Sequence, residues 1–492
     1  MTVTAFAPFS LWWLAPLALA GWYVLLAGVS LRQGAWLGAA FGLGHFLVGV
    51  SWVYVSLHDV GGMPLPLAVV ATLLFAAVLA AFPALAGGLF GRLDAAFRQP
   101  LLRAAVFAAA WSGAEWLRSW VFTGFPWLTL GTSQTTGPLA GWLPVVGALG
   151  TSFLLALLGA LLGELALAWR QPARGLRLLM LAPPIIAVPL IGALLGLARW
   201  TEPVGAPLSV ALLQGNVEQS LKWQPERFRD SLRTYFELQR DHPATLTVLP
   251  ETALPAFYEE LPPDYLAALR RLAARQPDGA VLLGVPLGNG ERYENGAVLL
   301  ADALPDPQRD PATSYRKHHL VPFGEFVPAG FAWFLRFINM PLSGFTPGPE
   351  DQPPLLVGGQ KLAVNICYED VFADEIAARA ASATVLVNLS NTAWFGHSLA
   401  QPQHLQIAQS RALETGRPML RATNTGMTAL VAPDGRVVAA LPPFTRDALV
   451  VEVQGRTGLT PFLRWGHGPV LALSGLLLLW AGWRQRRLRP NA

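Results

Sequence analysis

The sequence predicts a multi-span α-helical membrane bundle that carries an α/β domain ahead of its last span. Three observations predict it. The 492 residues are 53% hydrophobic and only 13% charged, with a mean hydropathy of +0.41, whereas a water-soluble chain carries about 25% charge. The apolar residues cluster in runs between Leu11 and Leu197 and again at Gly468–Trp483. Between those regions lies a stretch of ordinary charge in which short β-rich runs alternate with helical ones, the pattern of a layered α/β fold. Disorder is excluded, because it needs low hydrophobicity and high charge.

A helix needs about 20 apolar residues to cross a bilayer. Spans are expected near Leu11–Val29, Ala35–Val55, Pro66–Phe90, Leu101–Trp120, Leu139–Trp169, Leu178–Leu197 and Gly468–Trp483. The fourth holds Arg103, Glu115 and Arg118. The two arginines sit near its ends and can snorkel, whereas Glu115 lies deeper. An interhelical hydrogen bond is the first reading of Glu115, and a lipid-substrate contact the second. The segment Val121–Thr136, with Phe122, Phe125, Pro126 and Trp127, is too polar and broken to span and suits the membrane interface.

The connecting loops alternate in charge. Arg32, Arg92 and Arg98, the group Arg170, Arg174 and Arg177, and the tail Arg484, Arg486, Arg487 and Arg489 all fall on one side. Leu57–Met63 has no Lys or Arg. The positive-inside bias makes the basic side cytoplasmic, which places the polar domain Pro203–Gly466 on the opposite, periplasmic side of a bacterial inner membrane. The expected organisation is therefore a bundle of about six spans in 1–200, a catalytic domain in 203–466, and a final helix with a basic tail in 467–492. Cations placed beside apolar runs also argue against nucleic acid as a partner, despite a net charge of +4. The N-terminal Met1–Ser10 has no Lys or Arg, so it lacks the n-region of a signal peptide.

Within the polar domain, Val210–Gln214, Thr245–Pro250, Ala280–Val285, Ala297–Ala301, Lys361–Cys367, Ala383–Leu389 and Met427–Pro433 read as strands. Pro225–Arg240, Asp264–Arg275, Val371–Ala381 and Gln401–Thr415 have helical periodicity.

Three residues in this domain can carry chemistry together. Cys367, the only cysteine, ends the apolar strand Leu362–Ile366 and precedes a helix. Amide donors and a helix dipole at such a turn favour thiolate, although a lone cysteine is also commonly buried and inert. Glu251 follows a strand, where open α/β sheets build sites; alone, it reads equally as a cap or a solvated charge. Lys317 is one of only three lysines, with Lys222 and Lys361. Its compact ammonium can point at one oxygen, and its bland reading is a surface charge. The adjacent His318 and His319 suggest a metal, but no Cys/His cluster or HExxH supports one, so no metal or cofactor is expected. As a set the three make a reaction: the carboxylate takes the thiol proton, the thiolate attacks a carbonyl, and the ammonium stabilises the oxyanion.

The order Glu251, then Lys317 in Tyr315-Arg316-Lys317-His318-His319-Leu320-Val321-Pro322-Phe323-Gly324-Glu325, then Cys367 in Ile366-Cys367-Tyr368-Glu369 resembles the carbon–nitrogen hydrolase (nitrilase) superfamily. With apolar spans on both flanks, the chain resembles the membrane-embedded apolipoprotein N-acyltransferase family of that superfamily. Four more islands carry the resemblance: Trp52-Val53-Tyr54-Val55-Ser56, Thr123-Gly124-Phe125-Pro126-Trp127, Gln219-Ser220-Leu221-Lys222-Trp223 and Ala393-Trp394-Phe395-Gly396. The resemblance implies an α-β-β-α nitrilase-like sandwich beside the bundle. It implies Glu251 as general base, Lys317 as oxyanion-stabilising cation, Cys367 as nucleophile and Glu325 as a further essential glutamate. Trp223, Tyr368 and Glu369 match residues around the substrate entrance. The implied donor is a membrane phospholipid, typically phosphatidylethanolamine, which leaves an acyl thioester on Cys367. The implied acceptor is the α-amine of a diacylglyceryl apolipoprotein, and a monomer is expected.

An acyl thioester is useful only if an amine reaches it before water does, and Trp223, Phe323, Phe326, Phe331, Trp333, Phe334 and Phe337 can supply the apolar surround this requires. In two places the chain departs from the family. The family usually carries one more span, ahead of the Ala5-Phe6-Ala7-Pro8 stretch, so a missing first helix or an N-out start is expected. Thr392 stands where the family has Asp. Two rivals compete with acyl transfer. In a membrane-anchored amidase or nitrilase, water would resolve the same thioester; six spans ahead of the domain favour the transferase. A transporter with a sensor domain is disfavoured, because the spans lack paired broken helices and a charged midplane.

Overall fold

The structure, a computed structural model, describes residues 1–169, 174–219, 225–288, 292–302, 310, 312–328, 330 and 344–488. It divides into two compact units, one of Met1–Trp52, Val69–Arg199 and Thr460–Ala492, the other of Val53–Ala68 and Trp200–Leu459. The second unit thus takes in Val53–Ala68, a stretch between two expected spans. A local contact accounts for this: the Ser56 hydroxyl donates to the Trp394 carbonyl at 2.8 Å.

The first unit is helical: α1 (Leu14–Leu26), α2 (Leu31–Gly49), α3 (Leu65–Leu93), α4 (Pro100–Arg118), α5 (Leu143–Ala168), α6 (Arg174–Leu195) and a C-terminal helix, Gly468–Leu488. A helix stands at each expected span. Among the described residues, three stretches are long and apolar enough to cross a membrane by themselves: Leu65–Ala96, Pro138–Ala168 and Gly175–Leu195. The bent pair Leu31–Gly49 and Trp52–Val60 makes a fourth if it is one span. The others fall short for physical reasons. At about 1.5 Å per residue α1 is about 20 Å long against a core of about 30 Å. Charge dilutes α4, and arginines close the C-terminal helix.

Small residues let α2 and α3 approach closely: a Cβ added to Gly34 would lie 2.3 Å from the Gly87 carbonyl oxygen, and one on Gly38 2.2 Å from that of Pro83. The buried acidic groups Asp94, Glu115 and Glu164 of this unit are paired. Arg103 bridges Asp94 at 2.7 Å and Glu164 at 3.0 Å, and the Tyr23 hydroxyl donates to Glu164. Glu115 accepts the Leu130 amide at 2.9 Å and is also hydrogen-bonded to Ser152 of α5, an interhelical bond of the kind expected of it. Arg118 donates to the carbonyls of Phe125 and Trp127, pinning the aromatic segment whose Trp120 and Phe122 stay exposed.

The second unit is a four-layer sandwich. Its strands are β1 (Leu208–Gln214), β2 (Leu246–Val248), β3 (Ala280–Gly288), β4 (Tyr293–Leu300), β5 (Ser314–Arg316), β6 (Leu355–Val357), β7 (Gln360–Ile366), β8 (Val385–Ser390), β9 (Met419–Thr423), β10 (Ala429–Val431), β11 (Val437–Ala440) and β12 (Asp447–Val453). They form two six-stranded sheets, ordered β12-β1-β2-β3-β4-β5 and β11-β10-β9-β8-β7-β6. Each sheet has a parallel centre, β1-β2-β3 in one and β7-β8-β9 in the other.

Alternation along the strands builds two cores. Leu208, Val210 and Leu212 of β1 face Leu362, Val364 and Ile366 of β7 and Val385 and Val387 of β8 between the sheets. Ala211 and Leu213 face outward, into a core shared with Tyr235 and Leu238 of α7 (Pro225–Asp241) and Leu269 and Ala273 of α8 (Pro263–Ala273). Helices α9 (Ala373–Ala380) and α10 (Ala400–Thr415) cover the other sheet. The α-β-β-α architecture implied by the resemblance is the one observed. Strands β5, β6, β9, β11 and β12 carry no clear sequence signal, being three residues long, edge-exposed or, in β9, interrupted by the buried Arg421.

Candidate active site

Glu251 lies just beyond β2, Lys317 just beyond β5, and Cys367 at the end of β7. Each strand therefore delivers one of the three candidate side chains to a site within the sandwich. The close fit of backbone at the first of these is visible at Gly284 of β3, where an added Cβ would lie 2.3 Å from the Pro250 carbonyl oxygen and 2.9 Å from the Glu251 Cα.

Glu251 and Lys317 are nearly inaccessible, at 7% and 1% exposure. The Lys317 Nζ donates to Glu325 at 2.9 Å and lies 3.5 Å from Glu251 Oε1. Asn295 of β4 ties the carboxylates together, its Nδ2 donating to Glu251 Oε1 and to Glu325 Oε1, each at 2.7 Å. Glu251 Oε2 accepts the Asn391 amide at 2.8 Å, and Glu325 Oε2 accepts that of Val321 at 2.8 Å. Burial alone would lower the Lys317 pKa, but Glu325 and Glu251 overcome it and hold the ammonium above its ordinary value. Lys317 therefore stays charged.

Cys367 is half-buried and adopts φ +53°, a left-handed conformation that costs an ordinary residue about 1–3 kcal/mol and persists only where its surroundings enforce it. Burial pushes its thiol pKa up, Glu251 adds to the rise, and Lys317 offsets only part of it. This corrects the expectation of a thiolate. The helix α9 begins only at Ala373, after a single 3-10 turn at Cys367–Val371, so no helix dipole meets the sulfur. The resting thiol is neutral and must lose its proton during reaction, which needs a neighbouring base.

The remaining site residues fall in different places. Tyr368 packs edge-on against Phe372, with ring centroids 5.1 Å apart. Glu369, expected beside the substrate entrance, is instead fully buried. It accepts from the Tyr315 hydroxyl at 2.7 Å and from the amides of His318 at 2.8 Å and Ile366 at 2.6 Å, so its carboxylate holds the Lys317 and Cys367 segments in place. Trp223, and Phe331, Trp333, Phe334 and Phe337 of the expected apolar surround, lie outside the described residues. Phe323 and Phe326 are half-buried. The paired histidines point apart: His318 meets the Gly348 carbonyl at 2.9 Å and His319 the Glu375 carboxylate at 2.7 Å. Thr392 donates to the Gly426 carbonyl at 2.6 Å from full burial, a structural pin in the position where the family has Asp.

Sequence reasoning missed Asn295, Asn391 and the buried group Asp370, Asn388, His404 and Arg421. For part of the group the signal available was polarity inside strands: Asn388 and Arg421 each interrupt an apolar β run.

Comparison with known proteins bears on this geometry. Residues 1–161 match the apolipoprotein N-acyltransferase N-terminal domain, and residues 209–462 match the carbon–nitrogen hydrolase family. The chain is 46% identical to an apolipoprotein N-acyltransferase of Chromobacterium violaceum, over 99% of this chain and 92% of that one. It is 45% identical to one of Ralstonia nicotianae with the same coverage. It is 46% identical to one of Nitrosomonas europaea, over 97% of this chain and 94% of that one. With relatives this similar over nearly its full length and a carbon–nitrogen hydrolase match over more than half of it, the chain belongs to the apolipoprotein N-acyltransferase family of the carbon–nitrogen hydrolase superfamily.

Proposed function

We propose that the chain moves an acyl group from a phospholipid to the N-terminal α-amine of a diacylglyceryl-cysteine apolipoprotein through a thioester on Cys367. The observation that carries this reading is the buried Glu251–Asn295–Glu325–Lys317 cluster acting on the chain's single cysteine. It lies within a chain related over nearly its full length to apolipoprotein N-acyltransferases. Glu251 takes the Cys367 proton as the sulfur attacks the ester carbonyl. Lys317, held by Glu325, stabilises the resulting oxyanion. Collapse breaks the ester C–O bond, and the departing lysophospholipid oxygen takes the proton from Glu251. The acceptor amine then attacks the thioester, gives its proton to Glu251 and releases the Cys367 sulfur, which regains a proton. The result is an amide and a free enzyme, a ping-pong cycle of a monomer. The resemblance assigns Tyr368 and Trp223 to the entry of the lipid.

The arginine-bearing loops and tail support an inner-membrane protein with the second unit facing the periplasm. The amidase alternative is disfavoured by the match of residues 1–161 to a domain named for the acyltransferase. Mass spectrometry of the purified protein after incubation with phosphatidylethanolamine tests the proposal. One acyl adduct on Cys367, absent in Cys367→Ala, is expected. An unmodified Cys367 in active protein would refute the thioester.

A further inference from the structure

Behind the Cys367 turn lies a buried polar group that no step of the chemistry uses. Asp370, Asn388, His404 and Arg421 are each exposed by 1% or less. Arg421 donates to Asp370 Oδ2 at 3.2 Å, to Asn388 Oδ1 at 3.2 Å and to His404 Nδ1 at 2.8 Å. His404 Nε2 meets Asp370 Oδ1 at 2.8 Å. Asn388 Nδ2 donates to Asn365 Oδ1 at 2.6 Å and to the Cys367 carbonyl at 3.2 Å. Ser390 donates to Asn388 Oδ1 at 2.7 Å.

A guanidinium can only donate. It therefore decides two side chains that are otherwise ambiguous. His404 must accept at Nδ1, so its proton sits on Nε2 and is given to Asp370. Burial and the Arg421 charge also hold His404 below its ordinary pKa, which keeps it in that neutral tautomer. Asn388 must turn its oxygen toward Arg421, so its NH2 faces Cys367. The Cys367 carbonyl lies against the His404 ring as well. The left-handed Cys367 is thus gripped through its own carbonyl by a side chain whose orientation Arg421 dictates.

We propose that Arg421 and Asn388, braced by Asp370 and His404, are positioning residues that hold the strained Cys367 turn and so aim its sulfur at the acyl carbonyl. This deepens the reading of Cys367 as the nucleophile and rests on it. Asn388→Asp tests it most directly: the new side chain has the same size and still accepts from Arg421 and Ser390, but it cannot donate to the Cys367 carbonyl. Arg421→Lys keeps the charge facing Asp370 but loses the planar fork that orients Asn388 and His404 together.

The experiment follows the rate of acyl adduct formation on Cys367 against phosphatidylethanolamine concentration, alongside thermal melting of the same full-length protein in detergent. A misplacement of about 1 Å costs about 100-fold in rate. Asn388→Asp is expected to lose about that much in maximal acylation rate, with half-saturation by phosphatidylethanolamine unchanged, and Arg421→Lys to follow it. Wild-type acylation by Asn388→Asp would overturn the assignment. So would a loss carried by half-saturation instead of maximal rate, or failure of both variants to fold, which would make the group a folding device. If wild-type protein forms no adduct, the nucleophile reading falls and this one with it; adduct on wild type with unchanged variants removes only the positioning role.

Discussion

Glu251 keeps both carboxylate oxygens engaged, Oε1 by Asn295 and Lys317 and Oε2 by the Asn391 amide, so Glu251→Gln would keep most of its shape while losing the ability to take a proton. Because the resting thiol is neutral, adduct formation in Glu251→Gln is expected to fall by about 100- to 10,000-fold. Single-turnover mass spectrometry reads this, and near-normal adduct would remove Glu251 as base. Lys317→Arg is expected to fall by about 100-fold or more in the same assay, since a guanidinium is too large and planar for the space between Glu325 and Glu251. Glu369 belongs to a different kind of residue. Its buried carboxylate gathers four donors besides Arg379, the Tyr315 hydroxyl and the amides of His318, His319 and Ile366, so Glu369→Gln is expected to destabilise the protein by roughly 3–5 kcal/mol. Melting in detergent checks it; unchanged melting with lost turnover would return Glu369 to the substrate entrance. Glu251, Lys317 and Cys367 were legible because each is a reactive group just past a β run. Asn295 was not, because a neutral amide inside a strand shows its value only when two carboxylates arrive from other strands.

Strand β3 sets where the base stands. A methyl group at Gly284 would meet the Pro250 carbonyl and the Glu251 backbone, so Gly284→Ala is expected to shift Glu251 and to lower turnover by about 100-fold. Equal turnover in Gly284→Ala would mean that the Pro250–Glu251 backbone yields without moving the carboxylate. Helix α10 brings His404 into the sheet beneath Cys367. Its folded pKa lies below the ordinary value of 6.5, so below that pH the unfolded chain binds a proton that the folded one refuses. Stability from this group is complete above about pH 6.5 and is lost as pH falls toward the folded pKa. Wild-type protein is expected to melt progressively lower below pH 6.5, and His404→Gln with a shallower slope; identical slopes would assign the acid sensitivity elsewhere. Strands of six or more residues with unbroken apolar character were readable from the sequence. The three-residue β5 and β6 were not, since so short an edge segment shows no alternation of its own.

At the scale of the molecule, the distribution of arginines makes a topological prediction. In a Cys367→Ala background, a cysteine at the exposed Ser382 is expected to react with a membrane-impermeant maleimide in intact spheroplasts. One at the exposed Arg98 is expected to react only after lysis. The reverse pattern would invert the orientation. Span number was less legible than span position. Apolar runs mark all seven helices, yet among the described residues only three to four are long and apolar enough to cross unaided, because the charged or short helices depend on packing partners that composition does not reveal.

The sequence by itself determined the division into apolar runs and an α/β stretch, the layered class of that stretch, and the placement of three candidate side chains at strand ends, because hydrophobic periodicity and strand ends are local properties of a chain. Only the tertiary structure decided the state of those groups. Burial raises the Cys367 thiol pKa, Glu369 is fully buried among donors from Tyr315, His318 and Ile366, and Val53–Ala68 joins the second unit. Each outcome depends on burial and on charges or donors brought from segments far apart in the chain, and a pKa or a hydrogen-bond partner exists only once those segments meet.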